Sequence, residues 1–341
     1  MNKHHIIFSN LPQLITEIKS SQSVLISEKS IFHLYPKIFN NRLPQLILNI
    51  NENKKNLHTA EKIWDFLMKN NITKSHTIFI IGGGVLNDVV MFACSVFKRG
   101  IPTVAVPTTL LSMVDASVGG KNAINYRHIK NIIGNIYIPQ KNIIIPEFLQ
   151  TLPTQEILSG WAEIIKIALV TDAAFYRSIK KHIHQSFTPP LSVIKKSIQL
   201  KLKIIRRDLY DQNIRQLLNF GHTIAHAIEG IHDEQKKYIP HGIAVAQGMM
   251  IEAFLSYHLN LLPKEEFLQI LSYLKTHYPL PKINKNTISL MIEKISQDKK
   301  NTSEHIHFSL IESIGKGKIK IPVDKQTIQT TLHLFGKHYN T

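Results

Sequence analysis

The chain has 341 residues, of which 43% are hydrophobic and 19% charged, an ordinary composition for a globular protein with more than one core. Its single cysteine, Cys94, excludes an internal disulfide framework and favours a reducing, cytoplasmic location. The N-terminal residues lack the apolar core of a signal peptide, and Gln247 and Glu252 interrupt the most apolar stretch, so we expect no membrane span.

The net charge of +17 is a feature shared with nucleic-acid-binding proteins. The cations, however, are scattered as pairs along the chain, without a basic tail or a zinc-finger spacing. We therefore expect no nucleic-acid partner. Salt-sensitive DNA binding by a protein without metal would support the opposite interpretation.

The first third of the chain alternates apolar strand patterns with helical stripes. Strands are predicted at 23–27, 46–50, 77–81 and 103–106, and helices at 59–68 and 85–97. Strand, helix and strand joined by short connections indicate a parallel sheet flanked by helices. We therefore predict a Rossmann-like α/β domain over residues 1–150.

Two polar stretches follow strands of this domain. Gly82-Gly83-Gly84 ends one strand and opens a helix, which is typical of a phosphate-binding turn, although a plain tight turn is the alternative because the G-x-G-x-x-G pattern is absent. Residues 106–125 are rich in small hydroxyl side chains, with Asp115 and Gly119-Gly120-Lys121. We predict that this stretch is a loop that wraps a ligand.

After Thr151 the pattern changes to long helices, which predicts a mainly α-helical domain over residues 151–341. The helix at 156–169 is apolar almost all round, so Glu163 and Lys166 are expected to be buried on one face. A buried carboxylate must be paired or bound to metal, so an internal salt bridge and a metal site both stay open. Lys201 lies on the apolar stripe of the helix at 191–208 and either extends to solvent or points into an anion-binding cavity.

The stretch 217–229 is predicted to be one helix that carries a histidine pair. His222 and His226 are four residues apart and Glu229 lies three further on, so all share a face. Two imidazoles on one helical face are typical of a divalent metal site, although a pair without metal is the alternative. His241-Gly242 then begins a second apolar helix, and an alternating strand pair is predicted at 306–311 and 318–321.

Several of these stretches together resemble one family, the 3-dehydroquinate synthases, from about residue 20 to residue 330. The resemblance lies in four long motifs and one short one, which are Gly82-Gly83-Gly84-Val85…Asp88, Val106-Pro107-Thr108-Thr109…Asp115…Gly119-Gly120-Lys121, Ser159-Gly160…Glu163…Lys166, Leu217-Leu218-Asn219-Phe220-Gly221-His222…His226…Glu229, and His241-Gly242. Each glycine turn alone is a weak signal, whereas four long matches in register are specific.

The resemblance implies an NAD-binding α/β domain at 1–150 and a helical metal- and substrate-binding domain at 151–341. It implies a cytoplasmic carbon–oxygen lyase of the shikimate pathway of aromatic amino acid biosynthesis, which converts 3-deoxy-D-arabino-heptulosonate 7-phosphate into 3-dehydroquinate and phosphate. The expected cofactors are NAD and Zn²⁺ or Co²⁺, the expected partner is a bis-anionic sugar phosphate, and a homodimer is expected.

The same resemblance implies which residues form the sites. The expected metal ligands are Glu163, His222 and His241, so that only one member of the histidine pair would bind metal. The expected NAD contacts are Glu52, Lys55, Gly83, Gly84, Val85, Asp88, Thr108, Thr109, Lys121, Lys130, Phe148 and Thr151. The expected substrate and catalytic contacts are Arg99, Asp115, Lys121, Asn131, Lys166, Lys201, Arg215, Asn219, His226 and Lys299.

The chain departs from the family pattern at a few positions. Asn87, Met91 and Ala225 stand where the family usually has glycine, and Ile243 stands where it commonly has glutamate. None of the four is an expected metal ligand. We expect them to affect rate and cofactor affinity rather than the class of reaction.

Two enzymatic alternatives share this fold. Another sugar-phosphate cyclase would use the same cofactors on a different sugar phosphate, although Asn131, Asn219 and His226 favour the dehydroquinate branch. A metal-dependent polyol dehydrogenase would turn over NAD stoichiometrically and would have little use for so many anion-binding cations.

Overall fold

The computed structural model describes residues 5–20, 22–39, 42–127, 129–182, 187–297 and 305–339. The chain divides into two compact units, Met1–Pro153 and Thr154–Thr341. Lys299, one of the expected substrate contacts, lies outside the described residues.

The first unit is built on a parallel sheet of six strands. The strands of this unit are β1 (Ile6–Phe8), β2 (Ser23–Glu28), β3 (Gln45–Leu48), β4 (Thr77–Gly82), β5 (Thr103–Pro107), β6 (Lys121–Tyr126), β7 (Ile129–Ile136) and β8 (Lys141–Ile144). Strands β6 and β7 form a separate hairpin, and the other six form the sheet. The order in the sheet is β1-β8-β5-β4-β2-β3, and every neighbouring pair runs parallel. The helices of this unit are α1 (Leu11–Ser20), α2 (Lys29–Leu34), α3 (Leu57–Lys69) and α4 (Gly84–Val96).

The central strands are continuous apolar runs because both faces of the sheet are covered. Val24, Ile26, Ile78 and Ile80 are each 0% exposed and pack in one cluster with α3 and α4. A parallel sheet buried on both faces needs such runs rather than an alternation of apolar and polar residues. The predicted α/β fold class is therefore confirmed.

The polar stretch at 106–125 is more ordered than the loop we predicted. Residues Ser112–Ala116 form a short π-helix, and Lys121–Tyr126 is strand β6, which pairs antiparallel with β7. No pattern in the sequence predicts this hairpin, because the eight residues of β7 are almost all exposed and so show no burial pattern.

The second unit is mainly helical, as predicted. Its elements are α5 (Thr154–Thr171), α6 (Ala173–Ile179), α7 (Leu191–Arg207), α8 (His222–Glu234), α9 (His241–His258), α10 (Lys264–His277), α11 (Lys285–Gln297), β9 (His305–Ser313), β10 (Lys316–Asp324) and α12 (Lys325–Tyr339). Strands β9 and β10 form an antiparallel hairpin. Helices α5 and α9 bury nearly all their side chains, since both lie inside this unit.

The helix predicted over 217–229 begins only at His222. Residues Ile214–Asn219 form a 3₁₀ helix, and Gly221 interrupts the chain with a left-handed backbone at φ 82°. Glycine adopts this conformation without a steric penalty, so it reorients the chain immediately before α8. His222 and His226 still share one face, but Asn219 does not lie on the same helix.

Helix α9 approaches α5 and α8 closely at two glycines. A Cβ atom at Gly242 would lie 2.0 Å from the Ser159 carbonyl oxygen, and one at Gly248 would lie 1.9 Å from the Gly221 carbonyl oxygen. No larger residue fits at either position without moving a helix. Among the described residues, no helix combines the length and the apolar character needed to cross a membrane.

Candidate active site

Three helices of the second unit bring one carboxylate and two imidazoles together. Glu163 lies on α5, His222 is the first residue of α8, and His241 is the first residue of α9. One potential ligand atom from each lies within 4.8 Å of the others. The Nε2 atoms of His222 and His241 lie 3.7 Å and 3.8 Å from Glu163 Oε1, too far for hydrogen bonds but suitable for a shared cation.

The other ring nitrogen of each histidine faces an acceptor. His222 Nδ1 lies 3.3 Å from the Phe220 carbonyl oxygen, and His241 Nδ1 lies 3.0 Å from Glu229 Oε1. A proton on Nδ1 leaves the Nε2 lone pair directed at Glu163, and this is the usual orientation of metal-binding histidines. Glu229, which the sequence placed on the same stripe, therefore orients His241.

The surroundings shift the pKa values of the two histidines in opposite directions. Burial lowers the pKa of His222 well below its ordinary value, and the charge of Lys166 lowers it further. Burial also disfavours the charged form of His241, but its hydrogen bond and charge attraction with Glu229 raise its pKa above the ordinary value. Metal binding needs neutral imidazoles, so His222 is already in the binding form near neutral pH.

Glu163 is 2% exposed, and its Oε2 forms an ion pair with the Lys166 ammonium group. The internal salt bridge that the sequence left open is thus present. It uses one carboxylate oxygen, and Oε1 faces the two histidines. The two interpretations of Glu163 are therefore compatible with each other.

His226 lies outside this cluster. Its ring is T-shaped to that of His222 with centroids 5.6 Å apart, and its side chain is exposed. The geometry therefore groups His222 with Glu163 and His241 rather than with its neighbour one turn along the helix.

Three further expected site residues of this unit are buried cations. Lys166, Lys201 and Arg215 are 2%, 7% and 4% exposed. Lys201 is therefore held inside this unit rather than extended to solvent. Arg215 also donates to the Leu209 carbonyl oxygen at 2.6 Å. Asn219, the last residue of the 3₁₀ helix before α8, is half-buried.

In the first unit, the glycine turn connects β4 to α4. Gly83 precedes the first residue of α4, and its N–H donates to Glu28 Oε1 at 2.6 Å. Asn87, one of the departures from the family pattern, donates from Nδ2 to the Gly82 and Gly83 carbonyl oxygens at 3.0 Å and 2.9 Å. The Asn87 side chain thus holds the glycine turn by two hydrogen bonds, which a glycine at position 87 could not form.

Sequence reasoning missed Glu28. It is the last residue of β2, and nothing in its local pattern separates it from an ordinary surface glutamate. It reaches the glycine turn only because β2 lies beside β4 in the sheet. The neighbouring strand order is therefore the signal that would have found it.

A polar cluster next to α4 joins four of the expected cofactor and substrate residues. The Lys55 ammonium group forms an ion pair with Asp88 and donates to Asn131 Oδ1 at 2.6 Å. Asn125 Nδ2 donates to Glu52 Oε1 at 2.8 Å. Burial raises the pKa of Asp88, and the neighbouring Lys55 acts in the opposite direction. The hairpin that the sequence did not predict thus carries Asn131 to Lys55 and Asp88.

Phe148 and Thr151, two expected NAD contacts, are held by Tyr35. The Tyr35 hydroxyl lies 2.8 Å from Thr151 Oγ1, and its ring is T-shaped to Phe148 with centroids 4.9 Å apart. Tyr35 follows α2 in a segment that the sequence did not single out. It is a second contact that only the folded chain reveals.

The remaining expected residues of the first unit are placed around these groups. Thr108 is buried after β5 and donates its N–H to the Gly82 carbonyl oxygen at 3.0 Å, and Thr109 Oγ1 accepts from the Ser112 N–H. Val85 lies half-buried in the first turn of α4, and Asp115 lies half-buried in the π-helix. Arg99, Lys121 and Lys130 are exposed, after α4, at the start of β6 and in β7.

Comparison with known proteins follows the same division of the chain. Family models described as 3-dehydroquinate synthase N-terminal and 3-dehydroquinate synthase C-terminal match residues 45–159 and 160–301. The 3-dehydroquinate synthase of Buchnera aphidicola subsp. Cinara cedri is 36% identical over 326 residues, which cover 92% of this chain and 88% of that relative.

Solved structures with the same fold include two synthases. The 2-epi-5-epi-valiolone synthase from Streptomyces hygroscopicus subsp. jinggangensis 5008, solved with NAD⁺ and Zn²⁺, has a TM-score of 0.85 at 24% identity and covers 98% of this chain and 97% of that one. The 2-deoxy-scyllo-inosose synthase complexed with carbaglucose-6-phosphate, NAD⁺ and Co²⁺ has a TM-score of 0.84 at 23% identity, with 96% and 95% covered. At these identities the two structures show the fold alone. The matches to the two family models and to the Buchnera relative show that this chain belongs to the 3-dehydroquinate synthase family.

Proposed function

We propose that this protein is a 3-dehydroquinate synthase, a carbon–oxygen lyase that converts 3-deoxy-D-arabino-heptulosonate 7-phosphate into 3-dehydroquinate and phosphate. The observation that carries the proposal is the cluster of Glu163, His222 and His241 in a chain of this family. The reaction would proceed through oxidation of a substrate hydroxyl, elimination of phosphate, re-reduction, ring opening and aldol closure. It would therefore consume no NAD⁺.

Glu163, His222 and His241 would hold a Zn²⁺ or Co²⁺ ion. One carboxylate and two imidazoles form a recognised catalytic zinc set that leaves positions for substrate oxygens. The fit is supported by Glu163 Oε1, a buried carboxylate oxygen that makes no hydrogen bond within the described part of the chain and faces both Nε2 atoms. When bound, the metal would lower the pKa of a substrate hydroxyl.

The glycine turn and the cluster around Asp88 would hold NAD. Gly83 and Gly84 allow close approach of a pyrophosphate to the first N–H groups of α4, a helix of 13 residues. Lys55, Asp88 and Asn131 form a polar wall beside the same helix, and Thr151 would add a hydroxyl, with the buried Phe148 packed against Tyr35 behind it. NAD⁺ would supply the hydride acceptor and donor for the two redox steps.

Lys166, Lys201 and Arg215 would bind the two anionic groups of the substrate. A cation buried inside a protein is costly unless an anion compensates it, and all three side chains are buried, with Lys166 in an ion pair with Glu163. A carboxylate and a phosphate supply compensating charge, and their charge-assisted hydrogen bonds fix the orientation of the sugar. His226, exposed one turn after His222, would exchange a proton with a bound substrate. Arg99, Asp115, Lys121, Asn219 and Lys299 stay predictions from the family resemblance.

Two further properties belong to the same proposal. We expect a homodimer, because the β6–β7 hairpin exposes Tyr126, Ile129, Ile132 and Ile133 by 37% to 48%, an unusual number of apolar side chains in one short hairpin. We expect a cytoplasmic location, because Cys94 is buried and unable to pair within the chain.

The proposal is tested by supplying the protein with Zn²⁺, a catalytic amount of NAD⁺ and the heptulosonate phosphate. Release of inorganic phosphate with formation of dehydroquinate and without net NADH is expected. Formation of one NADH per substrate would instead show a dehydrogenase, and turnover only of other sugar phosphates would show a different cyclase. Glu163→Gln serves as the matched inactive control, since it keeps the size of the side chain but removes its charge.

A further inference from the structure

Glu252 is a buried carboxylate that reaches from one ligand-bearing helix to the start of another. It lies in α9 and is 0% exposed. Its Oε2 accepts a hydrogen bond from the Gly221 N–H at 2.6 Å, and its Oε1 accepts one from the Ile224 N–H at 3.1 Å. Burial raises the pKa of Glu252 to about 8, whereas the hydrogen bonds from these N–H groups act to lower it.

These contacts replace the missing side-chain cap of α8. The first N–H groups of a helix have no partner within it, and a side chain at the N-cap position usually accepts one of their hydrogen bonds. The N-cap of α8 is Gly221, which has no side chain to do so. Glu252 supplies the acceptor from a different helix, so the start of α8 is tied to α9 rather than to its own sequence.

The same two helices are in backbone contact beside this carboxylate. Gly248 lies one helical turn before Glu252, and its missing Cβ is what allows the Gly221 carbonyl oxygen to approach. A Cβ at Gly221 would in turn lie 3.0 Å from the Val245 carbonyl oxygen. The first turn of α8 therefore has little freedom to slide along α9.

Both helices begin with an expected metal ligand. His222 is the first residue of α8, and it lies between Gly221 and Ile224, whose N–H groups donate hydrogen bonds to Glu252. His241 is the first residue of α9. The separation of these two histidines therefore depends on how α8 is seated on α9. A well-packed apolar residue at this buried position would cost less folding free energy than a carboxylate, because the carboxylate must give up its hydration.

We propose that Glu252 is a positioning residue of the metal site, which fixes the first turn of α8 and thereby holds His222 Nε2 at its place opposite Glu163 and His241. This inference rests on the metal site proposed above. Glu252 does not touch the metal and acts through the backbone of residues 221 to 224. Groups behind the ligands commonly change metal affinity by about 10-fold to 100-fold when they are altered.

The test is a Co²⁺ titration of E252Q beside the wild type, followed by the visible absorption of the bound ion. Glutamine keeps the shape of the side chain but turns an NH₂ group towards N–H donors, so one of the two contacts is lost. A dissociation constant about 10-fold or more higher, with a shifted Co²⁺ spectrum, is expected. Ser256→Ala is the matched control, because Ser256 is equally buried one turn further along α9 and bonds to the Glu252 carbonyl oxygen and the Ile311 N–H, away from α8.

Each outcome separates this inference from the proposed function. A wild type that takes up no stoichiometric Co²⁺ would refute the metal site itself. A wild type that binds Co²⁺ while E252Q binds it equally well, with the same spectrum, would overturn the role of Glu252 alone, and so would an equal loss in S256A. If E252Q does not fold, E252D keeps the carboxyl group but withdraws it by one methylene, and an unchanged Co²⁺ affinity there overturns the inference.

Discussion

Replacement of Gly248 by alanine should force α8 away from α9 and weaken metal binding. The new Cβ would lie 1.9 Å from the Gly221 carbonyl oxygen, whereas real Cβ contacts below 3.0 Å are essentially never seen, so the two backbones must separate by about 1 Å. Metal–ligand distances tolerate only about 0.2 Å. A displacement of this size at the residue next to His222 should therefore raise the dissociation constant for Zn²⁺ or Co²⁺ steeply.

The expected loss of folding free energy follows from two opposing effects. Overpacking a close contact costs about 1–3 kcal/mol, and alanine in a helix interior recovers up to about 1 kcal/mol relative to glycine. The clash therefore dominates, with a net destabilisation of up to about 2 kcal/mol. Urea unfolding of the metal-free protein measures this loss, and a Co²⁺ titration measures the affinity.

Gly230→Ala provides a matched control in the neighbouring helix. Its Cβ would meet the Lys294 side chain at 3.4 Å, an ordinary contact, so this variant should fold at least as stably as the wild type and bind metal equally well. If G248A were as stable as G230A and kept the wild-type Co²⁺ affinity, the contact between Gly221 and Gly248 would not set the spacing of the ligands.

Four further substitutions test three separate parts of the structure. His222→Ala should abolish metal uptake, measured by elemental analysis, whereas His226→Ala should retain the metal and lose turnover. Equal loss of metal in both variants would favour a metal site formed by His222 and His226 together. Asp172→Ala should cost about 1 kcal/mol at pH 7 because it removes the N-cap of α6. A backbone hydrogen bond from Phe175 holds the pKa of Asp172 below its ordinary value. The stability that Asp172 contributes is therefore present at a pH above the ordinary pKa and is lost as the pH falls through the lowered pKa. If the wild type were still more stable than Asp172→Ala in acid, the ionised carboxylate would not be the cause. Tyr35→Phe should weaken NAD⁺ binding about fivefold in calorimetry, since one hydrogen bond to Thr151 is worth about 1 kcal/mol; unchanged affinity would mean that Thr151 needs no support.

The sequence predicted the parallel sheet well because burial on both faces leaves a direct trace. The strands predicted at 77–81 and 103–106 correspond to β4 at Thr77–Gly82 and β5 at Thr103–Pro107. The sequence predicted helix α5 of the second unit equally clearly, since α5 is apolar almost all round. The predicted ends of α5 differ from the observed ends by two residues, because helix caps depend on local geometry.

The sequence also led to the family, and through it to Glu163, His222 and His241. From the residues alone, however, the spacing of His222 and His226 suited a metal pair equally well. The tertiary structure separates the two, because helices α5 and α9 bring Glu163 and His241 to the Nε2 of His222 while His226 stays exposed. Helical periodicity describes one face of one helix and is silent about which other helix covers it.

Three contacts were decided by tertiary structure alone. Glu28 reaches the Gly83 N–H, Asn131 reaches Lys55, and Glu252 reaches the start of α8. Each joins residues more than 25 positions apart in the chain, so no local pattern records the pairing. Burial and motif spacing are local properties, so the sequence was sufficient to predict the buried segments and the family. The orientation of the side chains within the site arises from the packing of distant segments, which only the folded chain contains.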